Sequence, residues 1–414
     1  MTTSAQVVVV GAGPAGLTLA NLLQQAGVSA VLLETESRSA IEQRPRAGFI
    51  EDWVVRALDR HGLAGRLLST AQIHRKFEFR LGGERHVVNY GQLSGGAHYV
   101  YPQQELVTDL VAAFTDSGGD ARFEVDDVAL HGLAGQPSVT YRDARTGARQ
   151  RIGCDLVAGC DGARGVSRRS APEGAFAEFR HHYGVGWLAL LAETPPSADR
   201  VVFGIHARGF AAHMPRTSTV TRFYLQCPPG DDPASWPDER VWEELHTRLA
   251  VPGDGLTEGR LLEKRVLDMH NSVVEPMSYG RLYLAGESAH VVAPIGAKGM
   301  NLAIHDALQL ASRIIDRCRN GDEAALDDYS AACLPRVWQY QEFSHWLSDI
   351  FHGSTRLTSG EPFLGRLADA RLQRLLRSPS DAIAFTKMYV GSTDGVGGVD
   401  STDGRHGGDG TALS

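Results

Sequence analysis

The chain has few cysteines, and their arrangement excludes two common ways of organising a fold. Five cysteines occur among 414 residues, without a CxxC pair and without the Cys/His spacing of a zinc site. They are Cys154, Cys160, Cys227, Cys318 and Cys333. Scattered thiols of this kind are typical of a reducing compartment. We therefore expect no disulfide framework, no metal site and a cytoplasmic protein.

Long hydrophobic runs and an excess of positive charge are also missing. No apolar segment approaches the roughly 18 residues of a membrane-spanning helix. The N-terminal MTTSAQVVVVGAG carries neither a basic leader nor a cleavage signal. The 49 acidic residues outnumber the 41 lysines and arginines, for a net charge of −8. Since a nucleic-acid footprint normally needs a basic face, we expect neither nucleic acid nor a membrane as a partner.

The N-terminus carries a glycine-rich fingerprint. A β-branched run, Gln6–Val10, leads into Gly11-Ala-Gly13-Pro-Ala-Gly16 and then into residues at helical spacing. In such a unit Gly11 permits a tight turn, Gly13 lets the backbone approach a pyrophosphate, and Gly16 lets the helix pack close to the strand. Glu34 ends the next apolar run, where an acid can accept hydrogen bonds from a ribose. These features predict a bound dinucleotide.

Two further glycine-rich turns follow short apolar runs later in the chain. They are Asp161-Gly162 and Gly286-Glu287, and a helix is predicted to begin after the second, near Gly299. Free N–H groups at a helix N-terminus can hold an anion. A nicotinamide dinucleotide needs only the N-terminal fingerprint, so three such turns favour FAD.

The predicted fold class is α/β (α+β overall). Alternating aromatic and β-branched residues after Tyr183 indicate an antiparallel sheet, and Ala324–His352 is predicted to be a helix broken at Pro335. The predicted organisation is a Rossmann-like FAD-binding domain with a parallel sheet at 1–180, holding part of the second sheet at about 75–100; an antiparallel-sheet substrate domain at 181–268; a return to the first domain at 269–320; C-terminal helices at 321–391; and a disordered tail at 392–414.

These motifs resemble the flavoprotein aromatic hydroxylases, and among them the enzymes for 4-hydroxybenzoate-type acids. The likeness runs from about Val7 to Gly391. Its further segments are Arg44-x-Arg46-Ala-Gly48, Leu93–Gly96, Ala158–Gly162, Gly186–Leu191, Arg208–Phe210, Val273–Met277, Gly296–Gly299 with Asn301, and Tyr389–Gly391. The resemblance implies an FAD-dependent monooxygenase that uses NADH or NADPH and O₂ to hydroxylate a small aromatic acid through a flavin C4a-hydroperoxide. A homodimer is compatible with it.

The resemblance also implies roles for individual residues. The implied cofactor-binding residues are Gly11, Gly13, Gly16, Glu34, Arg44, Arg46, Gln103, Asp161, Gly162, Arg222, Gly286, Glu287, Gly296, Lys298, Gly299 and Asn301. The implied catalytic residues are Tyr389, His74, Pro294 and Asn301, and the implied substrate-binding residues are Arg216, Tyr224, Phe203, Met214 and Ile295. In this scheme a guanidinium and a phenol hold the substrate carboxylate.

Three departures from the family pattern leave the substrate open. Phe203 stands where the family has the tyrosine that contacts the phenol, Met214 replaces a serine and Ile295 replaces a threonine. One interpretation is a more apolar pocket for a substituted, for example alkenylated, hydroxybenzoate that is hydroxylated or epoxidised. In the other, His74 and Tyr389 manage the phenolic proton and 4-hydroxybenzoate is the substrate. A non-catalytic binder on this fold is a third hypothesis, which the intact fingerprint disfavours.

The nicotinamide preference also stays open. Glu36 follows Glu34 closely and would repel a 2′-phosphate, while Ala163, Arg164 and His270 differ from the family's expected cofactor contacts. Both NADH and NADPH are therefore retained as electron donors.

Overall fold

The structure is a computed structural model that describes residues 3–44, 48–356 and 361–391. Arg46 and the tail predicted to be disordered, 392–414, lie outside these ranges.

Strands and helices alternate through the first half of the chain, and helices dominate the C-terminal part. The strands are β1 (Thr3–Val10), β2 (Ala30–Leu33), β3 (Phe49–Glu51), β4 (Gln72–His74), β5 (Phe77–Leu81), β6 (Glu84–Val88), β7 (His98–Val100), β8 (Asp120–Arg122), β9 (Val125–His131), β10 (Ser138–Asp143), β11 (Arg149–Gly159), β12 (Ala177–Glu193), β13 (Val201–His206), β14 (Gly209–Pro215), β15 (Thr221–Cys227), β16 (Arg260–Glu275), β17 (Ser278–Tyr279), β18 (Leu282–Leu284) and β19 (His290–Val291). The α-helices are α1 (Pro14–Gln25), α2 (Arg38–Gln43), α3 (Asp52–Arg60), α4 (Gly65–Thr70), α5 (Tyr90–Ser94), α6 (Gln103–Asp116), α7 (Asp238–Arg248), α8 (Gly299–Asn320), α9 (Tyr329–Arg356), α10 (Pro362–Arg377) and α11 (Pro379–Val390).

The first sheet has a parallel centre with β1 in its middle. Its main path is β17-β18-β11-β1-β2-β8, and β1 pairs in parallel with both β11 and β2. The valines of β1 are at most 4% exposed because helices and loops cover both faces. The pairings of β9, β10 and β17 are antiparallel. The predicted Rossmann-like domain is confirmed, with antiparallel additions at its margins.

The second sheet is built from distant parts of the chain. Its order is β19-β16-β12-β15-β14-β13-β5-β6, so β5 and β6 join strands that come more than 100 residues later. Its pairings are antiparallel except for β13 with β5, which is parallel. The predicted combination of a Rossmann-like domain, a largely antiparallel sheet and C-terminal helices is confirmed.

The predicted helix break at Pro335 is wrong. Helix α9 runs without interruption from Tyr329 to Arg356 with Pro335 inside it. The proline lies in the second turn, where it removes one backbone hydrogen bond, and burial of Cys333, Val337 and Tyr340 in the core offsets that cost. No helix in the described ranges has the length and apolarity needed to cross a membrane.

Candidate functional site

A cleft of about 690 Å³ opens at the carboxyl ends of β1, β2, β11 and β18. This edge of a doubly wound sheet is where such folds bind ligands. The cleft brings together ten predicted cofactor residues: Gly11, Gly13, Glu34, Arg44, Gln103, Asp161, Gly162, Gly286, Glu287 and Gly299. The three turns, far apart in sequence, therefore meet in one place.

The fingerprint glycines occupy positions that a side chain would block. Gly11 has φ +105°, and a Cβ there would lie 2.4 Å from the Cys160 carbonyl oxygen. A Cβ on Gly16 would lie 2.0 Å from the carbonyl oxygen of Gly11, so α1 can approach the turn only without a side chain. Gly13 has no atom within 4 Å of a Cβ position and faces the open cleft. This turn leaves its backbone accessible to a ligand.

Two acids shape the polar side of the cleft. Glu34 accepts a hydrogen bond from the Ala12 N–H at 2.7 Å, which ties the end of β2 to the glycine turn. Asp161 accepts from the Ser167 N–H at 2.8 Å through Oδ2, while its Oδ1 is buried without a partner in the described residues. Burial raises the pKa of Asp161, against the hydrogen bonds from Ser167.

Gln104 was missed by the sequence analysis, which named its neighbour Gln103. Both line the cleft, and the Gln104 Oε1 is a second buried acceptor with no partner among the described groups. Two unpaired acceptors in a long cleft fit a ligand rich in hydroxyl groups, such as the sugar and ribityl parts of FAD. No sequence motif marks Gln104, and only the position of its side chain in the cleft identifies it.

Arg44 lines the same cleft and pairs with Glu36 at 3.0 Å. The side chains of both are nearly half exposed, so a diphosphate can compete for the guanidinium. Its predicted companion, Arg46, lies outside the described residues.

Lys298 and Glu51 form a fully buried ion pair beside the cleft. The Lys298 ammonium lies 2.5 Å from Glu51 Oε1, and both side chains are 0% exposed. Lys298 also donates to the Tyr389 carbonyl at 2.8 Å, and Glu51 accepts from the indole of Trp53 and the phenol of Tyr340. Lys298, predicted to bind the cofactor, anchors the end of α11, and the cleft lining does not include it. Its role towards the cofactor stays a prediction. Glu51 was not among the predicted site residues. Its position directly after the apolar Phe49-Ile50 was a sequence signal for a carboxylate at the end of a buried strand.

Asn301, in the first turn of α8, and Gly296, in the loop before it, do not line the cleft either. The Asn301 side chain accepts from the Glu51 N–H at 2.9 Å and donates to the Phe49 carbonyl at 3.2 Å, which fixes the first turn of α8 to β3. A Cβ on Gly296 would lie 3.0 Å from the Phe343 ring. Their predicted influence on the flavin stays a prediction, acting through the position of the loop.

The predicted substrate residues meet on one face of the second sheet. Phe203 pairs with Ala212, which pairs with Tyr224 on the next strand. Both aromatic side chains belong to one apolar cluster with Ile295 and Tyr389. Residues from β13, β15, the loop before α8 and the end of α11 therefore converge, whereas Pro294 is exposed.

Met214 and two arginines continue this face towards the cluster edge. Met214 pairs with Arg222 across β14 and β15 and packs against the cluster. Arg222 lies 3.3 Å from Glu263, and its side chain does not line the cleft. Burial, and next the positive charge of Arg222, lower the pKa of Arg216 to about 10, so the Arg216 guanidinium is still charged at neutral pH.

An aromatic wall that the sequence analysis did not identify closes this cluster. Phe210 stacks on Trp187 with ring centroids 4.7 Å apart and on Phe351 at 4.4 Å. Phe203 lies 4.8 Å from Phe351. Because α9 supplies Phe351, the wall links the sheet to a helix almost 150 residues later, which no local pattern predicts.

His74, predicted to take part in proton handling, is buried and has Phe49 as a neighbour in common with Tyr389. Its ring is edge-on to Phe49 at 6.2 Å, and Phe49 lies 6.5 Å from the Tyr389 ring. Burial lowers the pKa of His74, opposed by the charge of Asp199. Burial likewise raises the pKa of Tyr389.

One group in the described residues brings three potential metal ligands together: His305, Asp306 and Cys333. Asp306 is already bound to His290 Nε2 at 2.6 Å and to the Gly286 N–H at 2.9 Å. Burial alone would raise the pKa of Asp306, but the charge and hydrogen bonds of His290 and His305 lower it to about 2. The carboxylate thus supports the Gly286 turn. The expectation of no metal stays a prediction.

The fold and the cleft together define a dinucleotide-binding flavoprotein with a second, aromatic-lined sheet against its cofactor domain. The FAD binding domain family matches residues 4–344. The chain is also 36% identical over 392 residues to the p-hydroxybenzoate hydroxylase of Acinetobacter baylyi, covering 94% of this chain and 96% of the relative. The chain belongs to the family of FAD-dependent aromatic hydroxylases, and the predicted cofactor and enzyme class are confirmed.

Two other similar proteins are named for different rings. A 3-amino-4-hydroxybenzoate 2-monooxygenase of Streptomyces cremeus is 26% identical, covering 84% of this chain and 88% of the relative. A crystal structure of a p-nitrophenol 4-monooxygenase from Pseudomonas putida superposes with a TM-score of 0.78 at 21% identity, covering 94% and 99% of the two chains. At this identity the likeness concerns the fold alone.

Proposed function

We propose that this enzyme uses NAD(P)H and O₂ to hydroxylate a 4-hydroxybenzoate-type aromatic acid. The observation that carries the proposal is the convergence of Phe203, Tyr224, Ile295 and Tyr389 in one apolar cluster. The 36% identical relative is named for p-hydroxybenzoate, which supports the same substrate class.

The charges beside the cluster favour an anionic substrate. Arg216 and Arg222 repel each other, which is one cause of the lowered pKa of Arg216. Glu263 lies 3.3 Å from Arg222, and its charge partly opposes the lowering of the Arg216 pKa. A substrate carboxylate would relieve the repulsion and can bind a guanidinium through two parallel hydrogen bonds, with the Tyr224 hydroxyl beside it.

The remaining residues position the ring and exclude water. Bound FAD would lie along Gly11, Gly13, Glu34 and Asp161. It would supply the activation of O₂. The aromatic wall keeps the substrate side dry, which strengthens electrostatic interactions there. In this proposal Tyr389 and His74 receive the phenolic proton, because Phe203 has no hydroxyl to do so.

A substituted hydroxybenzoate with an apolar, for example alkenyl, group is the second candidate. Phe203, Met214 and Ile295 make the pocket wall more apolar than the family pattern, and Phe203 and Ile295 are at most 5% exposed. An apolar substituent packed on these side chains would gain roughly 0.8 kcal/mol per buried CH₂. Hydroxylation and epoxidation are both open for such a substrate.

A substrate screen tests the proposal. Purified FAD-loaded protein is mixed with NADH or NADPH and with 4-hydroxybenzoate, 3-alkenyl-4-hydroxybenzoates or benzoate, and NAD(P)H oxidation and product mass are measured. Tight coupling of 4-hydroxybenzoate to a product heavier by one oxygen atom supports the first candidate. Coupling only with the alkenyl acids supports the second. Absence of stimulation by every acid refutes both.

Arg216→Ala tests the anion site, with Arg260→Ala as its matched control on the same sheet. The Arg260 guanidinium is 74% exposed and pairs with Glu193. Loss of a charge-assisted pair of hydrogen bonds should raise KM about 10- to 100-fold without changing FAD content. An unchanged KM in Arg216→Ala would remove this residue from the site.

Phe203→Tyr should improve coupling with 4-hydroxybenzoate only if the missing hydroxyl limits that reaction.

The electron donor is proposed as either nicotinamide dinucleotide. Glu36 disfavours a 2′-phosphate, but its pairing with Arg44 at 3.0 Å reduces that repulsion. The screen with both donors decides the preference.

A further inference from the structure

A second groove lies between β12, β16 and α9, separate from the cofactor cleft. Its volume is about 400 Å³, which is within the range of small-molecule sites in proteins. None of the residues that line this groove also lines the cofactor cleft. None of them has a role in the functional site described so far, so the groove needs an explanation of its own.

Two exposed aromatic side chains line the groove. Phe179 on β12 is 48% exposed and Trp338 on α9 is 41% exposed, and their rings meet edge-on with centroids 5.7 Å apart. The Trp338 indole N–H donates to the Glu275 carboxylate, which fixes the ring. Adjoining exposed aromatic rings beside a groove are typical of a surface that binds an apolar partner. They can pack against a third ring.

The groove also holds a buried acceptor without a partner. Gln341 is 5% exposed, and its Nε2 donates to the carbonyls of Val291 at 3.0 Å and Ser272 at 3.4 Å. Only the amide nitrogen can donate to two carbonyl groups, so these bonds fix the orientation of the amide. Its Oε1 is turned away from both carbonyls and has no hydrogen-bond partner within residues 3–44, 48–356 and 361–391. A buried acceptor of this kind is complementary to an O–H or N–H donor.

The same side chains hold the loop that carries Ile295. Asn271, which also lines the groove, accepts a hydrogen bond from the Ala293 N–H at 2.7 Å. Gln341 holds the Val291 carbonyl of this loop. A ligand in the groove would therefore contact two side chains that position a segment of the predicted substrate site.

The charges around the groove do not favour a polyanion. Arg180 and Glu342 both line it, and the Arg180 guanidinium is already bonded to Glu178 at 2.8 Å. Burial, and next the imidazole of His345, lower the pKa of His181, which favours the neutral form of this lining residue. A planar ring with one donor group suits these surroundings better than a nucleotide does.

We propose that the groove is a second binding site for a phenol, whose ring packs on Phe179 and Trp338 and whose hydroxyl donates to Gln341 Oε1. The proposed reaction consumes one phenol and forms another, so its substrate or its dihydroxylated product can supply the ligand. That choice of ligand rests on the proposed function, whereas the site itself does not. Through Asn271 and Gln341 the bound phenol acts on the loop that carries Ile295.

Equilibrium dialysis of the FAD-loaded protein against phenol and anisole tests the site. The two probes share a ring, but anisole has no O–H group, so the wild type should bind phenol roughly 3- to 10-fold more tightly. Trp338→Ala and Phe179→Ala should each raise the Kd for phenol about tenfold. Phe363→Ala is the matched control, because Phe363 is 73% exposed on α10 outside the groove, and its Kd should equal that of the wild type.

Dialysis against 4-hydroxybenzoate and 3,4-dihydroxybenzoate identifies the source of the ligand. At least one of these acids should bind to the wild type with a second, weaker equivalent per chain that Trp338→Ala lacks. Phenol should also change the KM for 4-hydroxybenzoate more in the wild type than in Trp338→Ala, since the groove adjoins the loop before α8.

The outcomes separate the groove from the proposed function. Equal Kd values for phenol in the wild type and both groove variants, or for phenol and anisole in the wild type, overturn the site. Absence of phenol binding by the wild type in the millimolar range does so as well. Phenol binding that depends on Trp338, with no response of the flavin spectrum to 4-hydroxybenzoate, overturns the proposed substrate and leaves the groove standing. Should Trp338→Ala fold poorly, Phe179→Ala decides.

Discussion

Removing one member of the buried Lys298–Glu51 pair is expected to destabilise the protein strongly. In Lys298→Met the Glu51 carboxylate stays at 0% exposure and keeps the Trp53 and Tyr340 donors, but it loses its counter-charge. Breaking a buried pair in this way costs about 3–5 kcal/mol. This is a large share of the roughly 5–15 kcal/mol by which a domain is stable.

The other contacts of Lys298 give a similar magnitude. Its ammonium donates to the Tyr389 carbonyl at 2.8 Å and lies 4.6 Å from the Tyr340 ring centroid. A hydrogen bond from a charged group contributes about 1.5–3 kcal/mol, and a buried cation–π contact about 2 kcal/mol. Glu51→Gln keeps an acceptor for Trp53 but leaves the ammonium without its counter-ion. The double variant removes both charges and should cost less than the sum of the two single changes, by about 0.5–3 kcal/mol.

The assay is denaturant unfolding of the FAD-loaded variants, with the free energy of unfolding compared at equal slope. Lys264→Met is the matched control, since Lys264 pairs with Asp238 at 2.7 Å on a partly exposed surface, where a pair contributes about 0–1 kcal/mol. A Lys298→Met variant within about 1 kcal/mol of the wild type would refute the reasoning, since that value is typical of exposed pairs. Strictly additive single and double variants would refute it as well.

Two further predictions concern the cofactor cleft. Gly16→Ala should lower FAD content and stability, because its Cβ would lie 2.0 Å from the Gly11 carbonyl oxygen. Gly65→Ala is the control and should change neither, since no atom lies within 4 Å of its Cβ position. Equal flavin absorbance in both purified variants would contradict this prediction. Burial raises the pKa of Asp161 above 3.8, so the folded state binds the Asp161 proton more tightly than the unfolded state does. The apoprotein should therefore lose stability as the pH rises from 3.8 through the pKa of Asp161 in the folded state. Asp161→Asn should abolish this pH dependence, measured as Tm from about pH 3 to 7, and weaken FAD binding; an unchanged Tm profile would contradict the assignment.

The cofactor domain could be predicted from the sequence because its signals are local. Gly11 and Gly16 have a fixed spacing, and a buried parallel strand such as β1 shows as a continuous β-branched run. The second sheet was predicted from its alternating residues. Pro335 by itself predicts a helix break, but in the second turn of α9 it removes only one hydrogen bond. The packing of α9, which no local pattern shows, outweighs that loss.

The candidate site could be predicted only in part, because its remaining residues are defined by contacts between distant elements. The one local sign of Glu51 is its position directly after Phe49-Ile50, and its role depends on Lys298, about 250 residues later. The rings of His98 and Tyr90, more than 290 residues away along the chain, pack against Tyr389 because α11 places it there. The polar groups of such a cluster carry no sequence period, so their burial and their lack of partners appear only in three dimensions.

The loop before α8 shows how one stretch can serve both the cofactor and the substrate side. Its glycines suggested a cradle for the flavin, yet two buried side chains at the junction with α8 have other partners. Lys298, just before the helix, holds the end of α11, and Asn301, in its first turn, holds β3. Tyr389 lies at the end of α11, and His98 packs against it. A change in the Lys298–Glu51 pair should therefore reach the proton-handling residues as well as the stability of the fold. Turnover of 4-hydroxybenzoate by Lys298→Met should be slowed even at temperatures where the variant is fully folded, and turnover at the wild-type rate would show that α11 keeps its position without this anchor.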